Sequence, residues 1–160
     1  MKEDLVKNVC KDSSDKYIES IIAQHQDITG CDEPIENLDK INEIFSDAGG
    51  FKQLFNRLHS DNSDFGASTR KKLKGMSPLS MGVTYEAIKR GKNINLRQAF
   101  EMEFKLAQGF MNHTEFFEGV RALLVEKDKN PKWKHDSIVD LQWSEVEEFF
   151  NRDDQIQLDL

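Results

Sequence analysis

A chain of 160 residues, 38% hydrophobic and 32% charged, is long enough to form one domain with a substantial core. Its eleven Phe and two Trp argue against disorder, and no apolar run approaches the ~20 residues that a membrane span requires. The net charge of -7 argues against a nucleic-acid partner, because binding to phosphates depends on Lys and Arg.

Apolar residues recur at helical spacing along the chain, and we find no strand-length run of clean alternation. The first predicted helix runs from about Ser14, a good N-cap, with Ile18, Ile21, Ile22 and His25 on one side. The apolar positions of the later helices run, in chain order, over Leu38 to Phe45, Phe51 to Leu58, Phe65 to Leu73, Leu79 to Ile88, Leu96 to Phe110, Phe116 to Leu124 and Val146 to Phe150. The sequence therefore predicts an all-α fold with seven or eight helices. We expect a helical domain over residues 1–151, with a sub-boundary at the polar segment 60–64, and a flexible acidic tail over residues 152–160.

Helix starts are indicated by capping patterns. Ser77 followed by Pro78 is typical of a capped helix start, and Gly91 is placed to end that helix. Three pairs have the spacing of a capping box, in which an N-cap side chain and a residue three positions later bond to each other's backbone. These pairs are Asn95 with Gln98, Asn112 with Glu115, and Ser144 with Glu147.

No pattern indicates a metal site or a catalytic group. The histidines, His25, His59, His113 and His135, lack the spacing of zinc or di-iron motifs, and Cys10 and Cys31 stand alone. The segment 61–72 fails as a calcium loop, because Phe65 and Lys72 occupy positions that need oxygen ligands. Ser77 lies in a partial nucleophile-elbow pattern, but an N-cap role is favoured because the last glycine is missing.

The basic run Arg70, Lys71, Lys72 and Lys74 is the one electrostatic feature that contrasts with the acidic background. These four residues are candidate contacts for an anionic partner or for the phosphates of a cofactor such as CoA. The alternative, which we favour on the residues alone, is a solvated helix face.

The stretch Glu118–Trp133, EGVRALLVEKDKNPKW, resembles the terminal helix of the crotonase (enoyl-CoA hydratase/isomerase) superfamily, which ends in a charged turn and Pro-Lys-Trp. The segments Met76–Ser80, Leu96–Gln108 and Asp39–Asn42 resemble further family segments in the same order. The resemblance covers about Asp15 to Phe150 and is closest to the 3-hydroxyisobutyryl-CoA hydrolases, which cleave a CoA thioester in valine degradation.

The resemblance implies that this chain is the C-terminal helical region, without the β-spiral core that carries the oxyanion hole and the catalytic acids. We therefore expect no catalytic residue here, no metal, no tightly bound cofactor, and an inactive isolated chain. The expected partners are acyl-CoA and a crotonase catalytic core, on the same or a separate chain. The residues expected to contact that core are Gly119, Val120, Pro131 and Trp133, with Phe116 and Leu124 also facing inward.

Two functions are consistent with the resemblance. In the first, the chain caps the catalytic core and acyl-CoA pocket of a 3-hydroxyisobutyryl-CoA hydrolase-like enzyme. In the second, it is a non-catalytic helical interaction module derived from the crotonase tail. In either case an uncovered apolar face favours self-association. The resemblance implies a mitochondrial location, or a cytoplasmic one if this chain is expressed alone.

Overall fold

The computed structural model describes residues 15–25, 35–46 and 49–152. The chain divides into two compact units, Met1–Leu38 and Asp39–Leu160. In the first unit the described residues include helix α1 (Asp15–His25), in agreement with the predicted first helix. Ser14, Cys10, Cys31 and the tail 153–160 lie outside the described residues. Within the described ranges, no helix is both long and apolar enough to cross a membrane.

The remaining elements follow in chain order as α2 (Leu38–Phe45), α3 (Phe51–Ser60), α4 (Asp64–Leu73), α5 (Pro78–Gly91), α6 (Leu96–Met111), α7 (Thr114–Val120), a π-helical turn (Arg121–Val125) and α8 (Trp143–Phe150). The described residues thus form eight α-helices and no strand, which confirms the predicted all-α class.

The core of the second unit forms where α3, α5, α6 and α8 meet. Its buried residues are Phe51, Leu79, Val83, Leu106, Leu141, Val146 and Phe149. Leu79 and Val83 are four residues apart on α5, and Val146 and Phe149 are three apart on α8, so each pair lies on one helix face. Burying each side chain of this size contributes about 1.5–3 kcal/mol, which makes this contact the main source of stability in the unit.

Helix α8 approaches its neighbours closely at two glycines. A Cβ added at Gly82 of α5 would lie 2.9 Å from methyl carbons of both Leu141 and Val146. A Cβ added at Gly109 of α6 would lie 2.9 Å from the ring of Phe149. Because a residue without a Cβ lets side chains reach the backbone, these two glycines set how deeply α8 packs.

A charged contact reinforces the same packing at the C-terminal end of α5. Arg90 donates to the buried Glu86 at 2.8 Å and to Glu147 of α8 at 2.7 Å. The guanidinium carbon of Arg90 also lies 4.1 Å from the ring centroid of Phe150, within the range of a cation–π contact. Arg90 therefore joins α5 to one face of α8, on which Glu147 and Phe150 lie three residues apart.

The capping predictions are partly confirmed. Ser77 caps α5 with Pro78 in its first turn, and Asn95 with Gln98 forms a complete capping box at α6. The two other boxes are wrong. Asn112 is the C-cap of α6, and its side chain donates to the carbonyl of Gln108. His113 is the N-cap of α7 instead, and its ring accepts from the Glu115 amide at 3.3 Å.

The third box fails because α8 begins earlier than predicted. Its N-cap is Gln142, so Ser144 already lies inside the helix. Glu147 does not return to the backbone, since its carboxylate accepts from Arg90 and from the Trp143 indole at 3.2 Å.

The polar segment 60–64 is a short connection between α3 and α4. Ser63 caps α4 by accepting from the Gly66 amide at 3.2 Å. The Asp61 carboxylate is engaged by Ser63 and lies 3.6 Å from Lys40, and the hydrogen bond from Ser63 is the main cause of its lowered pKa. The segment is thus a polar loop in which Ser63 caps the start of α4 and Asp61 accepts from the Ser63 amide.

Candidate docking interface

The 118–133 segment, residues Glu118 to Trp133, reverses the chain after α7. Helix α7 passes into a π-helical turn, in which the Glu126 amide donates to the carbonyl of Arg121, five residues earlier, at 2.8 Å. The turn closes with a bond from the Lys129 amide to the Ala122 carbonyl at 3.0 Å. Lys127 and Lys129 both have positive φ angles, 55° and 53°. Short π-helical turns of this kind are uncommon and are frequent at functional sites.

An ion-pair network centred on Arg121 holds the segment in this shape. Arg121 contacts both carboxylate oxygens of Glu118, at 2.8 and 2.7 Å, and also reaches Asp128 at 2.7 Å and Glu126. The backbone amide of Lys132 donates to Glu118 at 2.6 Å. The Glu118 carboxylate therefore connects α7 to the returning chain.

The same contacts explain the titration of the network. The hydrogen bonds from Arg121, followed by that from the Lys132 amide, lower the pKa of Glu118 to about 2. Arg121 also lowers the pKa of Asp128, and its own pKa is raised, chiefly by Glu118. The network therefore keeps its charges throughout the neutral range.

The Trp133 side chain holds the end of the segment against the turn before α5. Its indole N–H donates to the carbonyl of Gly75, in the turn before α5, at 3.1 Å. A Cβ added at Gly119 would lie 3.3 Å from the edge of this indole, so the group that approaches the Gly119 backbone is Trp133 of the same chain. The indole is half-buried rather than buried, and Val120 and Pro131 are also half-buried. Contact of these residues with a separate core stays a prediction.

A buried polar contact that the sequence did not reveal lies beneath the segment. Ser77 and Glu115 are each only 4% exposed. The Ser77 hydroxyl donates to one oxygen of Glu115, and the other oxygen accepts from the Lys134 amide at 3.0 Å. These bonds connect the start of α5, the start of α7 and the chain that follows Trp133. They are satisfied inside the fold, which is typical of a structural role.

One side of α7 and of the π-helical turn carries large exposed apolar side chains. We call this surface the apolar face, and it consists of Phe116, Phe117, Leu123, Leu124 and Val125, all exposed. Leu124 is 67% and Val125 70% exposed, and the rings of Phe116 and Phe117 pack edge to face at 5.6 Å. Such a concentration of large apolar side chains is typical of a protein–protein contact surface.

The structure divides the basic run into two parts. Arg70 is half-buried, and its Nη1 donates to the carbonyls of Leu58 and Asp61 at 2.6 and 2.5 Å, so it also joins α3 to α4. Arg70 and Lys74 line one cleft, whereas Lys71 and Lys72 are exposed and do not contribute to it. Contact of any of the four with CoA phosphates stays a prediction.

Within the part of the chain that the structure describes, no group of three or more His, Cys, Asp and Glu side chains is arranged to hold a metal ion. His113 acts as a helix cap, and His135 lies 3.0 Å from the Glu145 carboxylate.

Comparison with known proteins identifies the family. The family model described as enoyl-CoA hydratase/isomerase matches residues 1–150, and the chain therefore belongs to this family. Among its relatives, the chain is 38% identical over 145 residues to the mitochondrial 3-hydroxyisobutyryl-CoA hydrolase of Dictyostelium discoideum, a match that covers 88% of this chain and 38% of the relative.

Two further proteins are similar. The mitochondrial 3-hydroxyisobutyryl-CoA hydrolase of Xenopus laevis is 32% identical over 155 residues, covering 94% of this chain and 40% of the relative. The crystal structure of an enoyl-CoA hydratase from Rhodobacter sphaeroides superposes with a TM-score of 0.68 at 25% identity, covering 85% of this chain and 41% of that protein. The chain thus spans about two fifths of the length of the relatives it matches.

The 118–133 segment is expected to loosen in acid. Because the pKa of Glu118 is lowered from 4.5 to about 2, its stabilising contribution is complete above about pH 4.5 and is lost as the pH falls through about 2. An NMR titration that follows the Glu118 carboxyl carbon and the Trp133 indole N–H measures both ends of the segment. Glu118→Gln is the control and should abolish the pH response at Trp133 between 4.5 and 2. Titration of Glu118 near 4.5 would contradict the network described above.

Proposed function

We propose that the chain is the C-terminal portion of a 3-hydroxyisobutyryl-CoA hydrolase-like thioester hydrolase of valine catabolism, acting in mitochondria. In this proposal it caps the catalytic core and the acyl-CoA pocket, and CoA thioester is the substrate of the complete enzyme. The observation that carries the proposal is the exposed apolar face, on a chain that matches about two fifths of its hydrolase relatives.

The apolar face fits a large, permanent partner surface. Stable interfaces between parts of one protein bury apolar side chains in their centre and place charged groups at the rim. Here Leu124 and Val125 lie next to the Arg121 network, which is partly exposed. The π-helical turn and the Glu118 contacts hold these apolar residues in a fixed position, which lowers the ordering cost of binding.

In this proposal the partner core carries out the hydrolysis of the thioester, because the buried carboxylates of the described residues are engaged in structural contacts. Hydrolysis of a thioester breaks the carbonyl carbon–sulfur bond after attack by water, and it needs hydrogen-bond donors for the developing oxyanion and a group that accepts the proton of water. The two buried carboxylates of the described residues, Glu86 and Glu115, are bonded to Arg90 and to Ser77 with Lys134, respectively. Both are therefore committed to structural contacts.

Reconstitution tests this proposal. The chain alone, incubated with 3-hydroxyisobutyryl-CoA, should release no thiol. Mixed with the portion of the Dictyostelium relative that lies outside the match, it should form a complex and restore thiol release. Leu124→Asp should weaken that complex by roughly 30-fold or more, because an unpaired charge in an apolar interface costs about 2 kcal/mol or more.

Ile88→Asp supplies the matched control. Ile88 is 66% exposed and lies on α5, away from the apolar face, so this substitution should leave the complex unchanged. Thiol release by the chain alone would disprove the assignment of the chemistry to the partner. A stable chain that binds no catalytic portion would instead favour the second function, a non-catalytic interaction module whose apolar face binds another protein or a second copy.

A further inference from the structure

A cleft of about 290 Å³ lies between α3, α4, the start of α5 and residues 136–138. Much of its wall is apolar and includes Leu58, Leu73, Pro78 and Ile138. Small-molecule sites are typically mostly apolar with a few polar groups that orient the ligand, and they begin at about this volume. The cleft is thus suited to a small ligand with an apolar body.

The polar group best placed to orient such a ligand is Arg70. Its Nη1 is fixed by the Leu58 and Asp61 carbonyls. Among the residues that the structure describes, the hydrogen bonds of Arg70 are made by Nη1, and Nε and Nη2 have no hydrogen-bond or carboxylate partner there. A guanidinium held by backbone carbonyls keeps its other edge pre-oriented, and that edge matches a carboxylate or phosphate through two parallel hydrogen bonds.

A second positive charge lines the same cleft. Lys74 follows Arg70 by four residues, which places both on one side of the end of α4. Asp136 and His59 also line the cleft, so a bound anion has to lie closer to Arg70 and Lys74 than to the Asp136 carboxylate.

We propose that this cleft binds a small amphipathic anion, a short apolar chain that ends in a carboxylate or a phosphate monoester. The oxyanion lies on the Nε–Nη2 edge of Arg70 with Lys74 beside it, and the apolar chain packs against Leu58, Leu73 and Ile138. This site lies on the described chain itself and does not depend on the thioester hydrolase function.

Binding is tested on the complete chain by NMR with three probes of equal chain length, hexanoate, hexyl phosphate and hexanol. At least one anion should shift the Arg70 Nε–H signal and bind at least ten-fold more tightly than hexanol, and the tighter of the two anions identifies the preferred headgroup. Lys74→Glu should weaken anion binding by roughly five-fold, in the range expected for an exposed charge pair.

Lys72→Glu is the matched control, because it changes the net charge equally in the same helical turn but does not line the cleft. It should weaken binding by less than about two-fold. The proposal is overturned if neither anion binds, if hexanol binds equally well, if the Arg70 Nε–H signal does not move, or if both charge reversals weaken binding equally. Circular dichroism of each variant verifies that the helices are retained.

Discussion

Replacing Glu115 by Ala is expected to lower the free energy of unfolding by about 3 kcal/mol. The substitution removes the acceptor of two buried donors, the Ser77 hydroxyl and the Lys134 amide. Each hydrogen bond to a charged group is worth about 1.5–3 kcal/mol, and a buried donor left without an acceptor keeps its full desolvation cost. Because these bonds connect α5, α7 and the chain after Trp133, their loss should also loosen the 118–133 segment.

Glu115→Gln is the matched variant for this prediction. Glutamine keeps the size of the side chain and one carbonyl oxygen for the Lys134 amide, while its NH₂ group donates to the Ser77 hydroxyl. It should therefore cost only roughly 1 kcal/mol, which includes the loss of a negative charge in the first turn of α7. Chemical denaturation measures both variants. A loss below about 0.5 kcal/mol for Glu115→Ala would show that the contact contributes little to stability.

The contacts of Glu115 show which kinds of contact can be predicted from the sequence. Capping is local, so the pairs Ser77–Pro78 and Asn95–Gln98 were predicted correctly from residues that are adjacent or three apart. The Asn112–Glu115 spacing is equally good locally. It fails because Asn112 is the C-cap of α6 and His113 caps α7 one residue later. The Glu115 carboxylate instead accepts from Ser77, 38 residues away in sequence, a contact that no local pattern indicates.

The same distinction holds for the docking interface. The sequence run 118–133 and its family resemblance singled out the segment, with Gly119 as an expected contact with a separate core. Neither identified the Trp133 indole as the approaching group, because its partner Gly75 lies 58 residues earlier. The Glu118–Arg121 contact, in contrast, has the i, i+3 spacing of a helical ion pair and is therefore predictable from the local sequence.

For the basic run, helical geometry alone separates the residues that share the cleft. Arg70 and Lys74 are four apart and lie on one side of α4, whereas Lys71 and Lys72 point elsewhere. The hydrogen bonds that Arg70 donates to backbone carbonyls were not predictable, because these carbonyls belong to the end of α3 and the turn that follows. The sequence thus specifies which side chains share a helix face. Tertiary packing decides which of those side chains form hydrogen bonds within the fold.

Replacing Gly82 by Ala is expected to destabilise the second unit by about 2 kcal/mol. The new Cβ would lie 2.9 Å from methyl carbons of Leu141 and Val146, which are 3% and 0% exposed and have little room to move. Overpacking of this kind costs about 1–3 kcal/mol, and the better helix propensity of Ala returns up to ~1 kcal/mol. The close packing of α8 against α5 therefore outweighs the usual preference for Ala in a helix.

Two further variants separate overpacking from helix propensity. Gly91→Ala lies at the end of the same helix with no atom within 4 Å of the added Cβ, so it should leave stability unchanged or slightly higher. Val146→Ala removes one of the two methyl groups that meet the new Cβ. The double variant Gly82→Ala with Val146→Ala should consequently lose less stability than the sum of the single variants, by about 1 kcal/mol. Strict additivity in thermal or chemical denaturation would show that Gly82 does not determine how closely α8 packs.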